Sequence, residues 1–436
     1  MSVEWIPFTN LLAAIVDNRG RTCPVGDAGL PLIATNCVDP NNLYPSYQTT
    51  RYVSSETYRT WFRGHPLPGD ILFVCKGSPG RTNWCPDPVD FCIAQDMVAV
   101  RADPKKVAPK YLFAALRSSL VQSQIDNLHV GTMIPHFKKG DFGKLNIPVP
   151  SAHSQRAIGD FYFEVSARIA LLRETNATLE AIAQALFKSW FVDFDPVRAK
   201  SQGLAPAGMD EATAALFPDS FEESALGVVP KGWRAGVLGE VVRTVKSQLH
   251  PSELHAAMNY VGLEHLPRKS LSLVNWGTAD GLESSKAKFS EGEVLFGKLR
   301  PYFHKVVVAP FDGVCSTDIL VCQSKQRAYY GFAAMQLFSD ELIAYADRLS
   351  NGAKMPRIGW NDIAAYPLVV PSEPIASAYT EVVSPLLDRM KGNVFRAHTL
   401  TTLRDTLLPR LISGQLRLPE ADALTRCADG LTQRTI

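Results

Sequence analysis

Gly69-Asp70-Ile71-Leu72-Phe73 returns as Gly292-Glu293-Val294-Leu295-Phe296, 223 residues further along the chain. Other segments recur at almost the same offset, between 221 and 223 residues. The matching pairs are residues 95–98 with 317–320, residues 111–116 with 332–337, residues 131–135 with 352–356, and residues 147–151 with 368–372. Matches at a nearly constant offset over such a length indicate a tandem duplication, so we expect the same globular unit twice.

Each copy has the same predicted layout. Short runs of β-branched and aromatic residues, bounded by Gly, Pro, Asp and Asn, predict strands first. These runs are residues 71–75 and 97–101 in the first copy and residues 294–296, 305–309 and 319–322 in the second. One short helix is predicted next, at residues 109–124 or 330–349, followed by a loop and one long helix. We therefore expect an α+β protein with two mixed α/β domains.

The long helices carry heptad repeats of apolar residues, the pattern of a coiled coil. The predicted interface positions are Ile158, Val165, Leu172, Leu179, Leu186 and Trp190 on the first helix and Leu386, Leu400, Leu407 and Leu411 on the second. Asn176 and Asn393 fall on the same seams, where they either fix the register or lie at a solvated end. Pro385 should kink the second helix or mark its start. The simplest architecture pairs the helices as an antiparallel coiled coil, in which ~35 residues would span ~50 Å.

Composition excludes several classes of protein. The 436 residues are 46% hydrophobic and 20% charged, which is typical of soluble globular domains. The first residues form no signal peptide and no window has the ~18–20 apolar residues of a transmembrane helix, so we expect a soluble cytoplasmic protein. The eight cysteines have no zinc-ligand spacing, which predicts buried thiols and no metal site.

Charge is distributed unevenly along the chain. Residues 1–150 carry 15 Lys and Arg against 12 Asp and Glu, and residues 230–370 carry 16 against 13, so each block has a net charge of +3. Residues 151–229 carry 6 against 11, a net charge of −5. Two basic blocks separated by an acidic one permit a polyanionic partner for both globular copies, and they equally fit chance variation on a solvated surface.

Several segments resemble a known family. The end of the central conserved region of type I restriction–modification specificity subunits is resembled by one segment of this chain. Its sequence is Leu186-Phe187-Lys188-Ser189-Trp190-Phe191-Val192-Asp193-Phe194-Asp195-Pro196-Val197. Residues 216–221 with 226–233 are similar to the entry into that family's second target-recognition domain, and residues 407–416 are similar to its distal conserved end. The family's Pro-x-x-Glu-Gln element at the helix start is reduced here to Gln155, and the second copy has Ala376 in its place.

The resemblance implies a division of the chain and a function. It implies target-recognition domains at residues 1–150 and 230–371, conserved long helices at 151–195 and 372–418, a linker at 196–229 and a C-terminal tail at 419–436. Each target-recognition domain would read one half of a split DNA sequence, with the helices setting the gap. The implied partners are double-stranded DNA, two adenine-methyltransferase subunits and restriction/translocase subunits. The chain itself would be non-catalytic and without a cofactor, while partner subunits bind S-adenosylmethionine, ATP and Mg²⁺.

Two loops recur in both copies with side chains suited to DNA. Glycine permits close approach of the backbone, and Lys or Arg contacts phosphate or guanine. The predicted DNA-contacting residues are Lys76, Arg81, Thr132, His136, Lys138 and Lys139 in the first copy and Lys298, Arg300, Tyr302, His304, Lys354 and Arg357 in the second. Lys76 and Lys298 are predicted to be equivalent. The alternative for any one of these residues is a solvated turn side chain.

Enzymatic patterns are incomplete. Residues 292–299 come within one residue of a phosphate-binding loop, but Leu299 replaces the Ser or Thr that would hold Mg²⁺. Asp87 with residues 103–105 suggests a nuclease, yet the second copy has no counterpart. The remaining alternative to a DNA reader is a protein-binding adaptor of a restriction-like complex that does not read DNA sequence.

Overall fold

A computed structural model describes residues 3–18, 20–47, 51–131, 133–352 and 354–416. The chain divides into two compact units, and each is described by itself. Unit 1 comprises the chain up to Leu171 together with the part from Arg396 onward, and unit 2 is Leu172–Phe395. Each unit therefore contains one copy of the duplicated sequence and a part of both long helices. The domain limits given above remain a prediction, and the predicted tail at residues 419–436 lies outside the described residues.

The described residues of unit 1 form three sheets. Its strands are β1 (Glu4–Pro7), β2 (Leu12–Val16), β3 (Leu30–Ile33), β4 (Tyr52–Val53), β5 (Ile71–Val74), β6 (Thr82–Trp84), β7 (Cys92–Ile93), β8 (Met97–Ala102) and β9 (Asn146–Val149). β1 pairs with β9, an antiparallel sheet has the order β2-β8-β5-β6, and a third sheet has the order β4-β3-β7. Every residue of β5 is buried, which explains its unbroken apolar sequence. The strands predicted at residues 71–75 and 97–101 are confirmed as β5 and β8.

Unit 2 repeats this arrangement. Its strands are β10 (Phe221–Ser224), β11 (Gly227–Pro230), β12 (Arg234–Val237), β13 (Val242–Thr244), β14 (Gln248–Leu249), β15 (Asn259–Val261), β16 (Gly277–Thr278), β17 (Lys286–Phe289), β18 (Val294–Gly297), β19 (Val306–Val308), β20 (Gly313–Cys315), β21 (Ile319–Ser324) and β22 (Pro367–Val370). The order β13-β21-β18-β19 matches β2-β8-β5-β6, and β12 pairs with β22 as β1 does with β9. The parallel pair β3–β7 has its counterpart in β15–β20. The duplication inferred from the sequence is therefore present in the structure.

The helices connect these sheets. They are α1 (Ser55–Thr60), α2 (Pro109–Arg117), α3 (Ser119–Leu128), α4 (Ala152–Phe191), α5 (Asp195–Ser201), α6 (Glu211–Leu216), α7 (Tyr330–Phe338), α8 (Asp340–Leu349), α9 (Trp360–Ala364) and α10 (Glu373–Ile412). Short 3-10 helices lie at Phe8–Leu11, Thr35–Cys37, Lys139–Lys144, Leu238–Glu240, Pro251–Glu253, Pro301–Phe303 and Arg327–Tyr329.

Each short helix predicted from the sequence is in fact two helices, α2 with α3 and α7 with α8. The prediction of a single helix was wrong because Ser118 and Ser339 have extended backbone angles, with ψ values of 147° and 142°. Ser339 Oγ then accepts a hydrogen bond from Leu342 N at 3.2 Å and starts a new helix.

The two long helices, α4 and α10, have 40 residues each. α10 begins at Glu373 and continues through Pro385, so the suggestion that Pro385 marks its start was wrong. A proline inside a helix removes one N–H donor. Val383 and Leu387, on either side of it, are buried, and their packing holds the helix together across this gap.

The predicted seam residues are buried to different degrees. Those with little exposure are Ile158, Val165, Trp190, Leu400, Leu407 and Leu411. Those that are only partly buried are Leu172, Leu179, Leu186 and Leu386. Phe187 and Leu387, one position further along, are buried instead. An α-helix has 3.6 residues per turn, so a strict seven-residue spacing drifts around it by ~20° per heptad.

Asn176 and Asn393 join α4 to α10 within unit 2. Asn176 Nδ2 donates to Met390 O at 3.0 Å and to Ser272 Oγ at 3.2 Å, and Asn393 Nδ2 donates to Asn176 Oδ1 at 2.9 Å. The two side chains are only 5% and 1% exposed. The alternative that they lie at a solvated end was therefore wrong.

Gln155, which remains from the family's helix-start element, connects three parts of unit 1. Its Oε1 accepts a hydrogen bond from Ala108 N at 2.9 Å, and its Nε2 donates to Pro150 O at 2.9 Å. The start of α4 is thereby tied to the start of α2. In unit 2, Ala376 is buried and cannot form such bonds.

The cysteines within the described ranges are all buried, namely Cys23, Cys37, Cys75, Cys85, Cys92, Cys315 and Cys322. The prediction of buried thiols is confirmed for them, whereas Cys427 lies outside the described residues. Across these same ranges, the structure contains no helix whose length and apolar character would let it cross a bilayer.

Candidate nucleic-acid interface

The two loops predicted in each copy lie side by side. We define the unit 1 loop pair as residues 75–81 and 130–139, and the unit 2 loop pair as residues 298–305 and 351–357. Each pair joins the segment that follows a central strand, β5 or β18, to the segment that follows a helix, α3 or α8. Thr132 lies outside the described residues.

Backbone hydrogen bonds fasten the two segments of the unit 1 loop pair to each other. Gly77 N donates to Pro135 O at 2.9 Å, and Phe137 N donates to Cys75 O at 2.8 Å. Phe137 itself is fully buried, where it stacks on Phe142 with ring centroids 5.3 Å apart. The loop pair is therefore anchored to the core beneath it.

The unit 2 loop pair repeats these bonds. Arg300 N donates to Pro356 O at 2.7 Å, and Ile358 N donates to Lys298 O at 3.1 Å. Ile358 is buried in the place that Phe137 has in unit 1. The two copies thus use one backbone frame to hold their loops.

A closed turn tops each loop pair. Val130 and His136 exchange two backbone hydrogen bonds of 2.8 and 3.0 Å, and Asn351 and Arg357 exchange two of 2.9 Å. The turn in each unit therefore has a fixed base, and the described residues between the members of each pair lie at its tip.

The hydrogen bonds also determine which residues of the two loop pairs are equivalent. Cys75 N donates to Asp96 O at 2.8 Å, as Lys298 N donates to Asp318 O at 3.0 Å. Cys75 is therefore the counterpart of Lys298, and the equivalence predicted between Lys76 and Lys298 was wrong by one position. The prediction aligned the two lysines with each other, whereas the strand register makes Lys76 the counterpart of Leu299.

The basic side chains of the unit 1 loop pair are accessible. Arg81, Lys138 and Lys139 are exposed, while Lys76 and His136 are half-buried. Lys139 forms an ion pair with Asp17. This unit therefore offers several cations on a surface that is only partly neutralised.

In the unit 2 loop pair, two of the basic side chains are bonded to other groups of the protein. Arg300 Nη2 donates to Lys354 O at 3.2 Å, and Arg300 has a left-handed backbone with φ of 51°. Arg357 forms an ion pair with Asp318 at 3.3 Å. Lys354 and Arg357 are exposed, whereas Lys298 and Arg300 are half-buried.

The unit 2 loop pair also contains two neighbouring aromatic side chains. Tyr302 is 50% exposed, and its ring lies 4.6 Å from that of Phe303. The guanidinium group of Arg268 lies 3.9 Å from the centroid of Phe303. Sequence reasoning missed Arg268, because it lies outside both loops and no repeated motif marks it.

His304 cannot contact DNA in this structure, contrary to the prediction. It is 3% exposed, its Nε2 lies 2.9 Å from Phe338 O, and its Nδ1 lies 3.2 Å from a carboxylate oxygen of Asp340. Burial lowers the pKa of His304, with the nearby Asp340 opposing this shift. The residue is a structural contact beneath the loops, which its position in a basic motif did not reveal.

Apolar residues at the turn tips were also missed. Met133 is 95% exposed and Ile134 57%, and in unit 2 Met355 is 54% exposed. A search for charged and hydrogen-bonding side chains passes over such residues. The signal available in the sequence was the repeated pattern of Gly, an apolar residue three positions later, and Pro.

No group of three or more His, Cys, Asp or Glu side chains in the described part of the chain is placed to bind a metal ion. The loop pairs contain backbone N–H groups, cations and aromatic or apolar surfaces. This is the chemistry of nucleic-acid recognition, in which cations contact phosphate and side chains contact base edges.

Several known proteins are similar to this chain in sequence. A family model described as the type I restriction modification DNA specificity domain matches residues 33–181. The type I restriction enzyme MjaIX specificity subunit of Methanocaldococcus jannaschii is 24% identical over 328 residues, which cover 72% of this chain and 70% of that protein. The EcoDI specificity subunit of Escherichia coli is 26% identical over 329 residues, covering 72% and 71%.

A solved structure has the same fold. The S subunit of a type I restriction–modification system from M. genitalium superposes with a TM-score of 0.53, covering 94% of this chain and 96% of that one at 14% sequence identity.

The HindI specificity subunit of Haemophilus influenzae is 24% identical over 422 residues, covering 80% of this chain and 86% of that protein. Relatives of one kind therefore align with most of the length of this chain, which is similar to type I restriction–modification specificity subunits.

Proposed function

We propose that this chain is the DNA-reading subunit of a type I restriction–modification complex, and that each unit recognises one half of a bipartite DNA sequence. The chain contributes no catalytic group. In the cytoplasm it positions two adenine-methyltransferase subunits on DNA, together with restriction/translocase subunits. Those partners bind S-adenosylmethionine, ATP and Mg²⁺.

One observation carries this proposal: two equivalent backbone frames present different side chains. At matched positions, unit 1 has Cys75 and Gly77 where unit 2 has Lys298 and Arg300. A lysine and an arginine can bind phosphate or the O6 and N7 atoms of guanine, which cysteine and glycine cannot. Two readers built on one frame would therefore bind different base sequences.

The long helices are proposed to pair as an antiparallel coiled coil that sets the spacing between the half-sites. Contacts within each unit support this pairing. In unit 2, Tyr379 Oη donates to Ala183 O at 2.8 Å, while the earlier Asn176 bonds to the later Asn393. In unit 1, Arg404 Nη1 donates to Ser166 Oγ at 3.3 Å. Residues with higher numbers on α4 therefore contact residues with lower numbers on α10, as expected for antiparallel helices.

A selection experiment tests the proposal. The complex of this chain with its modification subunit would be mixed with a pool of random-sequence DNA duplexes, and bound duplexes would be sequenced. We expect enrichment of two short defined sequences separated by a fixed undefined gap. Binding without sequence enrichment would instead identify the protein-binding adaptor and contradict the proposal.

A matched pair of variants places the contact. Lys298→Ala with Arg300→Ala should weaken binding to the selected duplex several-fold or more, and should make the slope of log K against log salt shallower by up to about 2. Lys325→Ala with Arg327→Ala removes two exposed charges from the opposite end of β21 and serves as the control. Equal effects of the two double variants would remove the unit 2 loop pair from the interface.

A further inference from the structure

Each loop pair presents a large apolar side chain to solvent at the same position of its turn. Ile134 is 57% exposed and Met355 is 54% exposed. Each precedes a proline, Pro135 or Pro356, whose carbonyl oxygen accepts the backbone hydrogen bond from the neighbouring loop. Both copies keep this exposed apolar residue although most of the surrounding side chains differ.

The backbone around these residues fits closely. Gly131 and Gly352 have φ values of +94° and +116°, a region that L-residues rarely adopt. A Cβ atom at Gly131 would lie 2.8 Å from Ile134 O, and one at Gly352 would lie 3.1 Å from Met355 O. The glycine is thus needed to let the apolar residue's carbonyl approach, and the turn holds that residue at its tip.

Positive charge surrounds both tips. Lys138 and Lys139 follow the unit 1 turn, while Lys354 lies directly before Met355 and Arg357 shortly after it. Three acidic neighbours form ion pairs within the protein: Asp318 pairs with Arg357, Asp17 pairs with Lys139, and Asp141 pairs with Lys144. An apolar side chain framed by cations matches the chemistry of DNA, in which a charged backbone flanks apolar base surfaces.

We propose that Ile134 and Met355 are apolar base contacts, one for each half-site. Each side chain packs against base surface inside a groove, while the flanking cations hold the phosphates on either side. Met133, 95% exposed beside Ile134, enlarges this contact in unit 1. The inference rests on the proposed DNA-reading function and adds to it a recognition element that carries no charge and makes no hydrogen bond.

Single truncations test this inference in the complex with the modification subunit. Met355→Ala should weaken binding to the selected duplex roughly tenfold, because burial of its apolar surface is lost. It should leave binding to unrelated duplex DNA and the salt slope unchanged, which separates it from loss of a cation. Ile134→Ala should act in the same way, and the two variants should relax sequence preference in opposite halves of the site.

Val228→Ala is the matched control, because Val228 is 57% exposed on the β10–β11 hairpin. This variant should change neither the affinity for the selected duplex nor the affinity for unrelated duplex DNA. Thermal unfolding of all three variants should match the unmodified chain, since exposed side chains are removed.

Modified duplexes identify the base surface. If the contact is a thymine methyl group, uracil in place of thymine should weaken binding of the unmodified chain and have no effect with Met355→Ala. If the side chain enters an opened base step, 2-aminopurine at that step should brighten on binding and stay dim with the variant. Either result supports the inference.

Unchanged specific affinity in both variants would overturn the inference while leaving the DNA-reading function standing. Loss of the modification subunit from the complex, with unchanged DNA binding by the remainder, would overturn it by showing a protein contact. If the unmodified chain selects no sequence, the proposed function itself fails, which is a distinct result.

Discussion

In unit 1 the residue that follows the central strand β5 is Cys75, which is buried, and in unit 2 the residue that follows β18 is Lys298, which is half-buried. Their backbones make the same hydrogen bonds, to Asp96 in one unit and to Asp318 in the other. The difference continues at Gly77 against Arg300 and at His136 against Arg357. Two parts of one chain thus keep the frame and vary the chemistry. Such variation is what a protein needs to bind two unlike half-sites with one architecture.

Exchanging these side chains should have the largest effect. Unit 2 would receive the identities of unit 1 through Lys298→Cys, Leu299→Lys, Arg300→Gly and Arg357→His. Because base contacts are worth about 1–3 kcal/mol each, affinity for the selected duplex should fall roughly 100-fold or more. Competition with duplexes mutated in one half-site would measure it. The half-site read by unit 1 provides the internal control, and damage to both halves would contradict independent reading.

His304 and Arg81 should respond in opposite ways to truncation. His304→Ala removes a buried contact with Phe338 O, so unfolding free energy should fall by about 1–3 kcal/mol while the salt slope of DNA binding is kept. Arg81→Ala, at an exposed position, should leave stability within about 0.5 kcal/mol and reduce the slope by about 1. Denaturant titration and binding at several salt concentrations would check both. A lower slope for His304→Ala would show that the residue contacts DNA after all.

The same histidine gives a pH dependence. Burial lowers its pKa in the folded state below the ordinary value of 6.5. The unfolded chain therefore binds more protons below about pH 6.5, and folding stability falls as pH drops through this range. We expect a smaller loss of stability between pH 7 and pH 5 in His304→Gln than in the unmodified chain. An equal loss in both would assign this dependence to other groups.

The two turn glycines should differ in sensitivity. Gly131→Ala places a Cβ 2.8 Å from Ile134 O, closer than the 3.1 Å approach to Met355 O at Gly352. Both substitutions force an unfavourable left-handed backbone, which costs about 1–2 kcal/mol. Hydrogen exchange at the Val130 and His136 amides should therefore accelerate more in Gly131→Ala than exchange at Asn351 and Arg357 does in Gly352→Ala. The reverse order would mean that the loops relax differently from the structure.

The smallest effect is expected at the two aspartates beneath the loops. Asp318 pairs with Arg357 at a partly exposed site, so Asp318→Asn should change stability by no more than about 1 kcal/mol and tighten DNA binding by a few-fold. Asp96→Asn is the matched variant in unit 1, where His136 stands in the position that Arg357 has in unit 2. It should tighten binding less. Weaker binding in Asp318→Asn would show that the ion pair positions Arg357 for DNA.

The sequence predicted the duplicated frame well, because the repeat depends on apolar strands and helices whose burial leaves a clear pattern. It predicted two basic loops in each copy, and the structure brings them together. It failed where the outcome depends on a single position. One residue of register separates Lys298 from the counterpart of Lys76, and the buried place of His304 follows from contacts with α7 and α8. The heptad prediction of the seam was also inexact, because an α-helix has 3.6 residues per turn and its buried face does not follow a strict seven-residue spacing.

Adenine methylation mapped across the genome of cells with and without this gene would show whether the chain directs methylation to a bipartite sequence. Two readers with unlike loop pairs predict a bipartite methylated sequence, with unlike halves and a constant undefined gap, that disappears when the gene is deleted. A continuous methylated sequence, or a methylation pattern that deletion leaves unchanged, would contradict the account.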